Sequence, residues 1–133
     1  RVVQLNRRPG RTFLVVDAAM TDLVRPAMYE AFHDIWPVAE PAPGARAVDY
    51  DVVGPVCETG DTFARDRRLV ETRPGDLVAF MTAGAYGAAM SSTYNSRPLV
   101  AEVMVKGDRY AVVRPRQTYE QLIGQDRLPD WLT

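Results

Sequence analysis

A chain of 133 residues, 47% hydrophobic and 25% charged, is long enough to enclose one core and ordinary in composition for a globular domain. A formal net charge of −1 leaves no basic excess to select nucleic acid, and no apolar run approaches the roughly 20 residues that a membrane-spanning helix needs. Cys57 is the only cysteine and His33 the only histidine, which excludes an internal disulfide, argues against a metal site, and suits a reducing, cytoplasmic setting.

The chain enters an apolar run directly after Arg1, with no initiator methionine and no signal-peptide pattern, and this leads us to expect a piece of a longer protein. Val2-Val3-Gln4-Leu5 and Thr12 to Val16 are β-rich and flank Arg8-Pro9-Gly10, so they read as a hairpin. Thr21 or Asp22 is placed to cap a helix starting at Leu23, with Pro26 in its first turn. Val24, Met28, Phe32 and Ile35 then form a helical stripe that predicts the helix running up to Pro37. The proline- and alanine-rich stretch 37–45 reads as a surface connection, and Ala47 to Val53 as a strand.

Leu69-Val70 is a short strand candidate, Arg73-Pro74-Gly75-Asp76 a turn, and Leu77 to Phe80 a further apolar run. Gly84 to Met90 is rich in small residues and suits one or two helical turns. Pro98 to Val105 and Tyr110 to Val113 form a second hairpin around Gly107-Asp108, and Thr118 to Ile123 a short helix with Glu120 in its first turn. Strands joined by hairpins predict a single, mainly β domain over 1–133: an antiparallel sandwich or partly open barrel with a few short helices.

Three stretches carry side chains able to do chemistry. Gly54-Pro55-Val56-Cys57-Glu58-Thr59-Gly60-Asp61 is a turn-forming segment after a strand, holding one thiol and two carboxylates. It suits a positioned functional loop or, equally, a buried cysteine beside a solvated acidic turn. Arg25 and Tyr29, four apart on a helix, share a face and could clamp a carboxylate through a bidentate fork and a phenol, or could be an ordinary exposed pair. His33 continues that face and reads as structural. In Gly84 to Asn95, small residues around Tyr86 would let backbone approach a ligand, or would simply pack tightly against an interfacial tyrosine.

The segments Asp17 to Tyr29, Val53 to Asp61 and Gly84 to Asn95 occur in the same order in diaminopimelate decarboxylases, and the chain resembles their C-terminal β-domain over nearly its whole length. These enzymes belong to the pyridoxal-phosphate decarboxylases of the alanine-racemase fold group. Cys57-Glu58, where the ornithine branch carries Cys-Asp, resembles the diaminopimelate branch more closely. Ala19, commonly glycine in relatives, is a small departure.

The resemblance implies a preceding N-terminal barrel, typically about 250 residues, that holds pyridoxal 5′-phosphate through a lysine absent from this chain. Lys106, the only lysine beside fifteen arginines, lies outside the matching motifs. The implied reaction converts meso-diaminopimelate to L-lysine and CO2, with this chain inactive alone. The resemblance makes Arg25 and Tyr29 ligands of the distal carboxylate, Glu58 the partner of the distal ammonium, and Cys57 catalytic at the reacting centre. It gives Tyr86 to substrate and cofactor, and leaves Asp61 as a structural group bonding loop amides. It further implies a homodimer in which the Cys57-Glu58 loop enters the neighbouring subunit's site while Arg25, Tyr29 and Tyr86 serve their own. No nucleic acid, membrane or metal is expected. Two other readings stay open: a decarboxylase of another basic amino acid, of ornithine or arginine type, and a non-catalytic module derived from the domain.

Overall fold

The computed structural model describes residues 1–132, which form two compact units divided after Ser91. In the first, β1 (Val2–Arg8) and β2 (Arg11–Val16) make the expected antiparallel hairpin, with Arg8 opposite Arg11. Gly10 takes the left-handed backbone (φ 75°) that this tight turn needs. Helix α1 (Arg25–Tyr29), β3 (Ile35–Pro37), β4 (Ala47–Val53), β5 (Thr62–Val70) and β6 (Val78–Phe80) follow. One sheet has the order β1-β2-β4-β5, and a second, two-stranded sheet joins β3 to β6. The outcome is mainly strand with short helices in open sheets, as expected, except that β2 and β4 pair in parallel, Phe13 opposite Asp51.

The core draws on the predicted strands and on residues outside them. Val2, Leu14, Val16, Leu23, Ile35, Tyr50, Val52, Phe63, Ala64 and Leu69 form one buried cluster. Phe63 and Phe80 pack against each other with ring centroids 4.4 Å apart and planes tilted by 39°. The Tyr50 hydroxyl, drawn into this core, accepts the Thr72 N–H at 3.3 Å, which spares the phenol an unpaired burial.

The helix predicted from Leu23 to Pro37 is cut to one turn. Glu30 adopts a left-handed backbone (φ 53°) and terminates it, and Ile35 instead pairs with Phe80 in β3. Met28 and Phe32, two members of the apparent stripe, are 61% and 73% exposed, so the spacing did not mark a buried helix face. Neither Thr21 nor Asp22 caps α1. Asp22 accepts the Ala19 N–H at 2.8 Å instead, and α1 begins with Pro26 in its first turn and no side-chain cap.

Only the end of β5 was legible, at Leu69-Val70; the strand spans nine residues. Arg65-Asp66-Arg67-Arg68 obscures it because β5 is an edge strand with an irregularity opposite Asp51. There Asp66 turns left-handed (φ 46°) and its N–H donates to the buried Asp51 at 2.9 Å. Arg67 is tucked in, its guanidinium 4.0 Å from the Phe32 ring centroid and donating to the His33 carbonyl at 2.9 Å.

In the second unit, β7 (Glu102–Lys106) and β8 (Arg109–Arg114) form the expected hairpin, turning at Gly107-Asp108. Gln117 and Leu99 exchange hydrogen bonds of 3.0 Å at its base. Helix α2 (Tyr119–Ile123) follows, capped by Thr118 and Gln121 in a reciprocal capping box.

Candidate functional site

The 54–61 loop is built around Asp61. This residue is 3% exposed, and its two carboxylate oxygens accept the Met20 N–H at 2.7 Å and the Val56 N–H at 2.8 Å. Its own backbone closes the loop, the carbonyl accepting from Gly54 N–H at 2.9 Å and the N–H donating to the Glu58 carbonyl at 3.1 Å. Gly54 packs so tightly against this carboxylate that any side chain there would overlap it. The structural role expected of Asp61 is therefore matched by its bonds.

With its floor fixed, the loop projects Cys57 and Glu58 outward. Cys57 is a free, exposed thiol, which disposes of the buried-cysteine alternative. Glu58 turns one carboxylate oxygen back onto the loop, accepting the Gly60 N–H at 3.0 Å and the Thr59 hydroxyl at 3.1 Å. These bonds, the Gly60 amide first, hold its carboxyl below the usual glutamate range. Glu58 is thus an anion on an open surface, oriented by its own loop.

Arg25 and Tyr29 are the first and last residues of α1. The Arg25 guanidinium carbon stands 5.9 Å from the Tyr86 ring centroid, at the outer limit of a cation–π contact. Among the described residues Arg25 has no carboxylate partner, so its fork is available to an anion from elsewhere. Tyr29 is 59% exposed and Tyr86 62% exposed. Tyr86 holds a left-handed backbone (φ 60°), uncommon for a bulky residue and the kind of strain that clusters at functional sites. Gly87 beside it is buried against the Ala83 carbonyl, where a side chain would overlap.

The structure thus gathers the five predicted residues into two groups, Arg25 with Tyr86 (and Tyr29 one turn along α1), and Cys57 with Glu58. No hydrogen bond, ion pair or ring contact joins the groups among the described residues. Two open clefts, of about 370 and 540 Å3, contain none of the five. The first lies between α1 and β5, against Ala27, Phe32, Phe63 and Arg67, and the second beside the 37–45 connection. His33 is buried, its Nδ1 3.1 Å from the Met81 carbonyl oxygen, consistent with the structural reading. Sequence reasoning missed Gly54 and Arg67. A glycine before proline reads only as a turn, and an arginine inside a charged run reads as solvated.

No group of three His, Cys, Asp or Glu among the described residues is placed to hold a metal ion. No described helix is long and apolar enough to cross a membrane.

Residues 1–84 match the family described as pyridoxal-dependent decarboxylase, C-terminal sheet domain. The chain belongs to that family. It is 49% identical to a diaminopimelate decarboxylase of Zymomonas mobilis, over 99% of this chain and 31% of that one. A crystal structure of diaminopimelate decarboxylase from M. jannaschii in complex with L-lysine superposes with a TM-score of 0.92 at 34% identity, covering 99% of this chain and 30% of its own. The Helicobacter pylori enzyme complexed with L-lysine gives 0.83 at 40% identity, covering 92% and 29%. The chain therefore spans less than a third of the length of these relatives.

Proposed function

We propose that this chain is the C-terminal domain of a diaminopimelate decarboxylase, acting on meso-diaminopimelate in the cytoplasm as part of a longer, homodimeric enzyme. The observation that carries this reading is that a chain of this family holds both a guanidinium without a carboxylate partner, Arg25, and an exposed, oriented anion, Glu58. Meso-diaminopimelate ends in a carboxylate and an ammonium away from the reacting centre, and these two residues complement those charges. An ornithine-type substrate offers the ammonium alone and leaves Arg25 without a partner, which disfavours that alternative.

The residues also suit pyridoxal phosphate, though not as its covalent holder. Lys106 is exposed at the end of β7, in the second unit and outside both groups in sequence. Tyr86, with an exposed phenol on a loop of small residues, is suited to contact the cofactor's edge. The cofactor, when bound, takes up the electron pair released as CO2 leaves. The preceding barrel is expected to hold it.

This chain's part is recognition and positioning. Arg25 and Tyr29 bind the carboxylate that is kept, and Glu58 pairs with the distal ammonium. To Cys57, a free and exposed thiol in the loop, this reading assigns action at the reacting carbon. The separation of the two groups and their position on open surface support the arrangement in which the loop serves the neighbouring subunit and α1 its own.

Kinetics of the complete enzyme on meso-diaminopimelate test the reading. Glu58→Gln keeps the shape and removes the charge, and a half-satisfied charge-assisted bond costs about 2–4 kcal/mol, so kcat/KM should fall roughly 30- to 1,000-fold. Arg25→Lys should also reduce it, because an ammonium does not reproduce the bidentate fork. Cys57→Ser should lower kcat more than it raises KM. Near-normal kcat/KM in all three variants refutes the assignment.

A further inference from the structure

We infer that Asp61 is a positioning residue that locks the Cys57-Glu58 loop to the helix carrying Arg25 and Tyr29; its bearing on catalysis rests on the function proposed above. The carboxylate divides its oxygens between two segments far apart in sequence, Oδ1 accepting from Met20 and Oδ2 from Val56. Met20 lies within the turn in which the Ala19 carbonyl accepts from Asp22 N–H at 2.8 Å and Leu23 N–H at 3.2 Å. That turn leads into α1, whose first residue is Arg25. Val56 immediately precedes Cys57 and Glu58, and its carbonyl accepts the Glu58 N–H at 2.8 Å.

The chemistry requires a carboxylate. Both partners are N–H donors, so both side-chain atoms facing them must accept; an asparagine of the same shape offers one oxygen and one donor NH2. One of the two segments would then face a donor in a site with almost no access to water, and the link would break on that side. Under the proposed arrangement the loop reaches the neighbouring site and α1 its own. A single buried group then sets the position of side chains in two active sites.

The experiment uses the complete enzyme. Asp61→Asn is expected to raise KM for meso-diaminopimelate about tenfold, and to speed hydrogen exchange at the Met20 and Val56 amides together by at least about tenfold. Leu14 and Val52, in the sheet core, should keep their protection. Gly54→Ala, whose methyl would overlap both oxygens of the same carboxylate, should produce the same pair of changes. In the wild type the Met20 and Val56 amides should open with one shared dependence on denaturant, a measurement that needs no variant to fold.

Independent opening of the two amides in the wild type overturns the inference. So does a variant whose kcat falls with KM fixed, since that reports only a smaller folded fraction. Shared opening does not involve substrate. A wrong substrate would therefore show separately, as normal turnover by Glu58→Gln while the two amides still open together.

Discussion

The loop at 54–61 and the loop at 82–87 both present proposed site residues, and they hold their shapes by different physics. The first is fastened by hydrogen bonds that converge on one buried carboxylate, Asp61. The second has a single long backbone bond across it, Gly87 N–H to Gly84 carbonyl at 3.4 Å. It relies on left-handed backbone at Thr82 (φ 55°) and Tyr86 (φ 60°) and on a buried Gly87. A loop held by polar bonds fails when an acceptor is lost or displaced. A loop held by backbone shape responds to changes at φ-restricted or crowded positions and is indifferent to charge.

The largest expected effect sharpens the first half of that contrast. Gly54→Ala forces a methyl against the Asp61 carboxylate and disturbs the acceptors of two amides at once, so it should destabilise the protein by about 3 kcal/mol in chemical denaturation. A loss below about 1 kcal/mol would show that the carboxylate can move aside, and the loop would then not be held as described.

Gly87→Ala is the counterpart in the second loop. Its methyl would overlap the Ala83 carbonyl, which is backbone and cannot swing away as a side chain can, and a cost of about 2 kcal/mol is expected from the same measurement. Thr82→Gly should move stability the other way. It relieves a β-branched residue from a left-handed backbone, and a gain of about 0.5–1 kcal/mol is expected after the added freedom of the unfolded chain is set against it. A loss at Thr82→Gly would mean that backbone strain does not shape this loop.

The smallest effect concerns charge at the loop apex. Glu58 is held ionised below the usual glutamate range by the Gly60 amide first and the Thr59 hydroxyl second. Because its folded-state value is depressed, the associated stability is present above the unfolded value and is lost as pH falls through the folded one. Thr59→Val removes only the second cause. The Glu58 titration midpoint, followed by NMR, should move up part of the way toward an ordinary glutamate, and an unmoved midpoint would rule out the hydroxyl's contribution.

What could be read before folding follows the range of the interactions involved. Both hairpins, the strand at 47–53 and α2 were legible because adjacent residues encode them: Pro9-Gly10 and Gly107-Asp108 supply the turns, and Thr118 the cap. The end of α1 was not, since Glu30 carries no local signal for a left-handed residue and Ile35 is claimed by Phe80, distant in the chain. Most of β5 was hidden because Arg65, Asp66 and Arg68 are exposed on an edge strand, Arg67 is tucked in where a charge is not expected, and the Asp66 irregularity breaks the alternation.

The same division holds for the site. The amino-acid sequence by itself determined which side chains are present and in what order, and with them the family, because Arg25, Tyr29, Cys57, Glu58 and Tyr86 sit in short motifs readable from neighbours alone. Tertiary structure alone decided that Tyr86 stacks toward Arg25, that Cys57 faces solvent, and that Asp61 reaches back to Met20. The first and the last are contacts between segments distant in the chain, and a contact of that kind leaves no mark on the residues beside it in the chain.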